Sequence, residues 1–203
     1  MNKTYYWFGV YLLFLQILVI FRNVYIFEDL SVFVYFCDHI PLILAIAFLR
    51  EDVNRIKTFV IVGFIPQLVW TIDFFANLLF NAQIFGYSSY SFELGTFSFL
   101  VTLGIHLLTC IPAFFLTLKT KTENNILLYS FGYLIFLYIA TLLFTSPAQD
   151  FNCVYNACSV GFLQFPSFIL FWIAITFGLV VIPTFLIMKV FSKIYERKEI
   201  NES

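Results

Sequence analysis

Three side chains capable of nucleophilic or acid–base chemistry interrupt apolar runs: Cys37 in Phe36-Cys37-Asp38-His39-Ile40-Pro41, Asp73 after Trp70, and His106 after Ile105. Placing a charge at the middle of a membrane-spanning helix costs roughly 2.5–3.5 kcal/mol, so each such residue calls for a partner or a task. A thiol accepts an acyl group once a base removes its proton, and an imidazole can be that base. A carboxylate can orient the imidazole and stabilise its charged form. The expected assignment is therefore Cys37 as nucleophile, His106 as base and Asp73 as orienting group.

The elements that must position these residues follow from composition. The 203 residues are 62% hydrophobic, 22% aromatic and only 11% charged, with a mean hydropathy of +0.93. These values lie far outside the range of soluble domains and indicate an all-α, polytopic transmembrane bundle. A hydrocarbon core of about 30 Å needs about 20 apolar residues in a helix. Six segments qualify, near 5–27, 32–49, 58–80, 96–118, 126–146 and 168–188, followed by a frayed polar tail over 193–203. They form a single transmembrane domain. The first segment follows Met1–Lys3 with no small-residue cleavage site, so it reads as a retained helix. Four scattered cysteines make no disulfide scaffold and no paired zinc motif. Cys153 and Cys158 are close enough in sequence for a bridge in an oxidising compartment.

Lys3, Arg50, Arg55, Lys57, Lys119, Lys121, Lys189, Lys193, Arg197 and Lys198 fall on one side of this arrangement, and Arg22 alone on the other. The positive-inside rule then puts both termini in the cytoplasm and predicts a multi-pass protein of the cell membrane. The net charge of −1 and this distribution exclude nucleic acid as a partner.

Depth follows from the helical rise. Cys37 lies six residues, or ~9 Å, inside the outer end of the second segment. Asp73 lies ~10 Å and His106 ~15 Å from the outer ends of theirs. Residues three and four apart share a face, so Gln67, Trp70, Asp73 and Asn77 form one inward stripe, and Thr102, His106, Thr109 and Cys110 another. Cys37 and His39 are about 200° apart on an ideal helix and cannot line one site. Pro41 offers no amide hydrogen to the Cys37 carbonyl, and Pro112 none to that of Leu108. A neighbouring group or water must satisfy backbone freed in this way. Arg22 or His106 is the natural partner for Asp73. Gln67 and Trp70 are candidates for substrate binding, and Asn152 or Asn156 could stabilise a developing oxyanion from the outer loop.

A Phe-Cys-Asp early in one helix, an apolar helix with a central His106, and an outer loop holding Asn152, Tyr155 and Asn156 resemble a group of small multi-pass bacterial integral membrane proteins of unknown function. Their motif order is similar to that of eukaryotic intramembrane lipid-ester hydrolases and phospholipid acyltransferases, in which a Thr or Cys nucleophile and a His lie on different helices. Cys37 and His106 match the two proposed catalytic positions. The resemblance covers about 35–161 and implies acyl chemistry on membrane lipids entering from the outer leaflet.

Two other classes use the same residues differently. A transporter or binding protein would coordinate a solute or protons with Asp73, His106 and Gln67. A membrane assembly subunit, as a homo-oligomer or with a partner protein, would use the surface supplied by 29 Phe and 12 Tyr. A metal held by Cys37, Asp73 and His106 would need mixed ligands from three helices, and no cofactor is expected.

Overall fold

The computed structural model describes residues 2–155 and 167–202. Helices account for the fold, with no strand among the described residues. Helix α1 (Lys3–Phe21) runs into a π-helical turn at Arg22–Ile26. It is followed by α2 (Phe36–Leu49) and α3 (Val53–Phe80). Helices α4 (Thr96–Leu107) and α5 (Cys110–Thr117) make one interrupted rod, and α6 (Asn125–Phe144) follows. Helices α7 (Phe168–Thr176) and α8 (Ile182–Glu202) are joined through a π turn at Phe177–Val181. Five of the rods among the described residues are long and apolar enough to cross a membrane, and α2 is a shorter sixth.

Several boundaries differ from those the sequence predicts. The second segment begins at Phe36, because Tyr35 is extended and Leu30–Val34 is a separate 3-10 turn. Its 14 residues span ~21 Å, less than the ~30 Å core, and Cys37 sits in the first turn instead of well inside. Helix α3 starts five residues earlier than expected, because the Asp52 side chain caps it by accepting from the Arg55 amide. Lys57 is thereby carried into the helix and fully buried. Its ammonium donates to the carbonyls of Thr120 and Lys121 and to Thr122 Oγ1, tying down the turn after α5. The polar tail is helical through Glu202 instead of frayed, in keeping with the absence of glycine and proline after Pro183.

The core is a continuous apolar cluster from α1, α2, α3, α5, α6 and the last rod, with Leu12, Ile40, Leu44, Phe48, Ile61 and Met188 fully buried. Helix α1 packs most extensively on α2, and α3 contacts α2, α4, α5 and α6. Large apolar side chains such as Phe14, Phe136 and Leu170 remain exposed, as expected for rods that face lipid. Helix α3 thus lies at the centre, with α2 and the α4–α5 rod beside it.

Candidate functional site

Cys37 owes its position to two groups from other parts of the chain. Asn152, in a left-handed backbone conformation that asparagine tolerates, accepts the Phe36 amide through Oδ1 at 2.8 Å. The same side chain donates to the Val34 carbonyl and to Thr141 Oγ1, so it fixes the start of α2. One turn on, the Gln16 carboxamide of α1 inserts into the α2 backbone. Its Nε2 donates to the Asp38 carbonyl and its Oε1 accepts the Leu42 amide, both at 3.0 Å. Pro41 withholds the preceding ladder bond, and Gln16 takes over the next one.

His106 is set by an equivalent device. The α4–α5 rod breaks at Leu108–Thr109, ahead of Pro112, and Gln67 Oε1 of α3 accepts the first amide of α5, that of Cys110, at 2.8 Å. The imidazole ends in the last turn of α4, stacked on Trp70 with centroids 4.2 Å apart and 14° between planes. Trp70 stacks on Phe74, and Phe74 on Phe92 of the loop before α4. Between α2 and α4, Cys37 Sγ and His106 Nδ1 approach to 3.9 Å. This is a long contact for a thiol–imidazole pair, and contacts of this kind often tighten only when a substrate is bound. Both residues are half-buried.

The carboxylates are arranged otherwise than expected. Arg22 pairs with Asp38, not with Asp73: Nη2 donates to Asp38 Oδ1 at 2.7 Å, Nη1 to Thr102 Oγ1 at 3.1 Å and Nε to Asn23 Oδ1 at 3.0 Å. Asn23 Nδ2 donates to the other Asp38 oxygen. The π turn brings Arg22 and Asn23 inward, and both are buried.

Asp73 instead accepts from the amides of Phe85, Gly86 and Ser88 and from Ser88 Oγ, at 2.7–3.2 Å. Its bonds hold the loop between α3 and α4 down on α3, and none of them reaches His106. A carboxylate satisfied by four donors has no need of an imidazole. His39 faces away from Cys37: Nδ1 pairs with the Phe33 carbonyl at 2.9 Å and Nε2 with the Tyr133 hydroxyl. At the start of α2, burial pushes the Tyr35 phenol up to about 12, and the nearby Cys37, Asp150 and Asp38 add to the shift.

Of the remaining candidates, Asn152 spends its amide on α2, and its own carbonyl accepts from Trp172 Nε1. Asn156 and Cys158 lie outside the described residues. Cys153 is disulfide-bonded, whereas Cys37 and Cys110 are free thiols. Gln67 bonds the amide of Cys110, four residues beyond His106, and Trp70 stacks on His106. Each has a buried nitrogen, Nε2 and Nε1, with no hydrogen-bond partner, as has Thr71 Oγ1 on the same face of α3. Leaving such a donor unpaired costs about 1–3 kcal/mol. Among the described residues no three His, Cys, Asp or Glu side chains are grouped as a metal would require, so Cys37, Asp73 and His106 do not form a metal set.

Sequence reasoning passed over Gln16 and Asn23. For Gln16 there was a signal, since it is the only amide side chain between Tyr5 and Phe21. The chemistry available is a thiol beside an imidazole, close to a buried cation and to unpaired donors, at the end of the bundle formed by the loops before α2 and α4. No family model matches this chain, and no curated protein and no solved structure matches it.

Proposed function

We propose that this multi-pass protein is a membrane-embedded lipid acyl hydrolase or acyltransferase, with Cys37 as nucleophile and His106 as its base. The observation that carries the reading is the 3.9 Å approach of Sγ to Nδ1 between residues 69 apart, one in the first turn of α2 and the other in the last turn of α4. In the first step the thiolate attacks an ester carbonyl, and the Cys37 proton passes to His106. Collapse of the adduct breaks the ester bond, and His106 returns the proton to the departing alkoxide. Water or an acceptor alcohol then attacks the thioester with His106 again as base, which restores the thiol.

The membrane setting fits this reading. Both termini are assigned to the cytoplasm from the distribution of Lys and Arg. The Cys153 disulfide at the opposite end suits an oxidising exterior, and the site then opens to the outer leaflet of the cell membrane. Deeper in the bundle, about two turns along α2 from Cys37, Leu44 is fully buried together with Leu12 and Ile61, which favours acyl chemistry over solute passage. An open apolar groove of about 740 Å³, lined by Trp7, Phe8, Tyr11, Ile111 and Phe115, lies between α1 and α5. It suits an acyl chain. The resemblance to intramembrane Cys/Thr–His lipid-ester enzymes points the same way.

Alkylation of the full chain in detergent tests the pairing. Iodoacetamide is expected to modify Cys37 ahead of the fully buried Cys110, as read from peptide masses. Changing His106 to Ala is expected to slow modification of Cys37 by about 10²-fold or more, the usual contribution of a positioned base. Equal rates with and without the imidazole would remove His106 from the mechanism.

A further inference from the structure

We propose that Gln67 Nε2, Trp70 Nε1 and Thr71 Oγ1 form a hydrogen-bond cradle for the carbonyl oxygen of an acyl ester, and receive its charge as Cys37 attacks. The inference rests on the Cys37–His106 reading and adds to it the group that the site recognises.

Four observations support the cradle. First, the three atoms are buried and have no hydrogen-bond partner, a condition shared among the described residues by Ser91 Oγ, whereas buried polar groups are as a rule paired. Second, residues 67, 70 and 71 are three and four apart, so they share one face of α3. Third, the orientation of the Gln67 amide is fixed. Its oxygen accepts the Cys110 amide, so its two N–H bonds are directed away from that helix end. Fourth, the Trp70 indole lies face to face on the His106 ring, so one of the three unpaired donors belongs to a residue in direct contact with the base.

The ligand class follows from donor chemistry. An amide nitrogen and an indole nitrogen only donate, so their complement is an oxygen acceptor that gains negative charge, and not a cation. When the Cys37 sulfur bonds to the ester carbon, the carbonyl π pair moves to the oxygen. On collapse that pair re-forms the double bond and the alkoxide leaves with the proton held by His106. Donors already in place in a dry site are effective because they need no reorganisation at that moment. A phosphate oxygen of a lipid headgroup would satisfy the same atoms, so the test includes a substrate without phosphate.

Trp70→Phe keeps a ring on His106 and deletes only the indole N–H. Thr71→Val keeps the shape and deletes only the hydroxyl. With p-nitrophenyl decanoate, which carries no phosphate, the first turnover of the full chain in detergent should release nitrophenolate with acylation of Cys37. Each variant is expected to slow that step by about 10²-fold, while iodoacetamide alkylation of Cys37 changes by less than about twofold. If wild-type Cys37 is not acylated, both the cradle and the enzyme reading fall. If wild type is acylated and the variants match it, the cradle alone falls. A parallel loss of acylation and alkylation would make these groups positioning residues, and a loss confined to phospholipid esters would make them a phosphate site. Either outcome overturns the carbonyl assignment.

Discussion

Replacing Arg22 by Leu is expected to lower the stability of the chain by about 3–5 kcal/mol, the usual cost of removing one partner from a buried ion pair. The pair is well placed for so large an effect. Its side chains are 5% and 9% exposed and meet at 2.7 Å. Without the guanidinium, Asp38 keeps only Asn23 as a side-chain donor, and Thr102 and Asn23 each lose a bond. For a chain of this size, each kcal/mol moves the melting temperature by roughly 2–4 °C, so the apparent Tm in detergent should fall by about 10 °C. Changing Asp38 to Leu as well is expected to recover most of the loss, since an apolar pair of similar volume carries no unpaired charge. A double variant no more stable than the single one would contradict this account of the cluster.

Gln16→Met should have the second-largest effect, and on two observables. The substitution preserves length but leaves the Asp38 carbonyl and the Leu42 amide without the partners they now share. Each orphaned group costs about 1–3 kcal/mol, and two neutral backbone groups at the lower to middle part of that range give a loss of roughly 2–4 kcal/mol in the same melting experiment. Direct closure of the ladder is opposed by the Pro41 ring, which presses on the Cys37 carbonyl. With the clip gone, the first turn of α2 can shift. Because ~1 Å of misplacement can reduce a reaction by on the order of 10²-fold, Cys37 alkylation should slow about tenfold or more. Lower stability with unchanged thiol reactivity would show that Gln16 supports the helix without positioning the thiol.

The contrast between Cys37 and Asp73 marks how far sequence alone reaches. Apolar runs of about 20 residues define spanning rods by length and hydropathy, and that is why the helical architecture could be read directly. Cys37 and His106 stand out because each interrupts such a run, and placing both in the outer half of the bundle made a meeting geometrically reasonable. In the structure their Sγ and Nδ1 atoms approach to 3.9 Å. Asp73 was equally visible, yet its partners are three consecutive-region amides and a hydroxyl of an irregular loop, and no periodicity encodes how a loop folds back. Arg22 went to Asp38 because a π turn rotated it inward, a local change in winding that an ideal helix wheel does not contain. The two glutamines illustrate the same limit. Pro41 and Pro112 signal where backbone bonds will be missing, but which side chain supplies them depends on which helices become neighbours. Asn152 was expected to serve chemistry and serves instead to start α2, since its amide matches the free Phe36 amide and Val34 carbonyl.

The most direct measurement of the central claim is the mass of the Cys37 peptide after the full chain has been incubated with vesicles of diacyl phospholipid. An acyl group on Cys37 that hydroxylamine removes, absent from the Cys37→Ala protein, is the expected result. An unmodified Cys37 together with ester cleavage by Cys37→Ala at the wild-type rate would contradict the account.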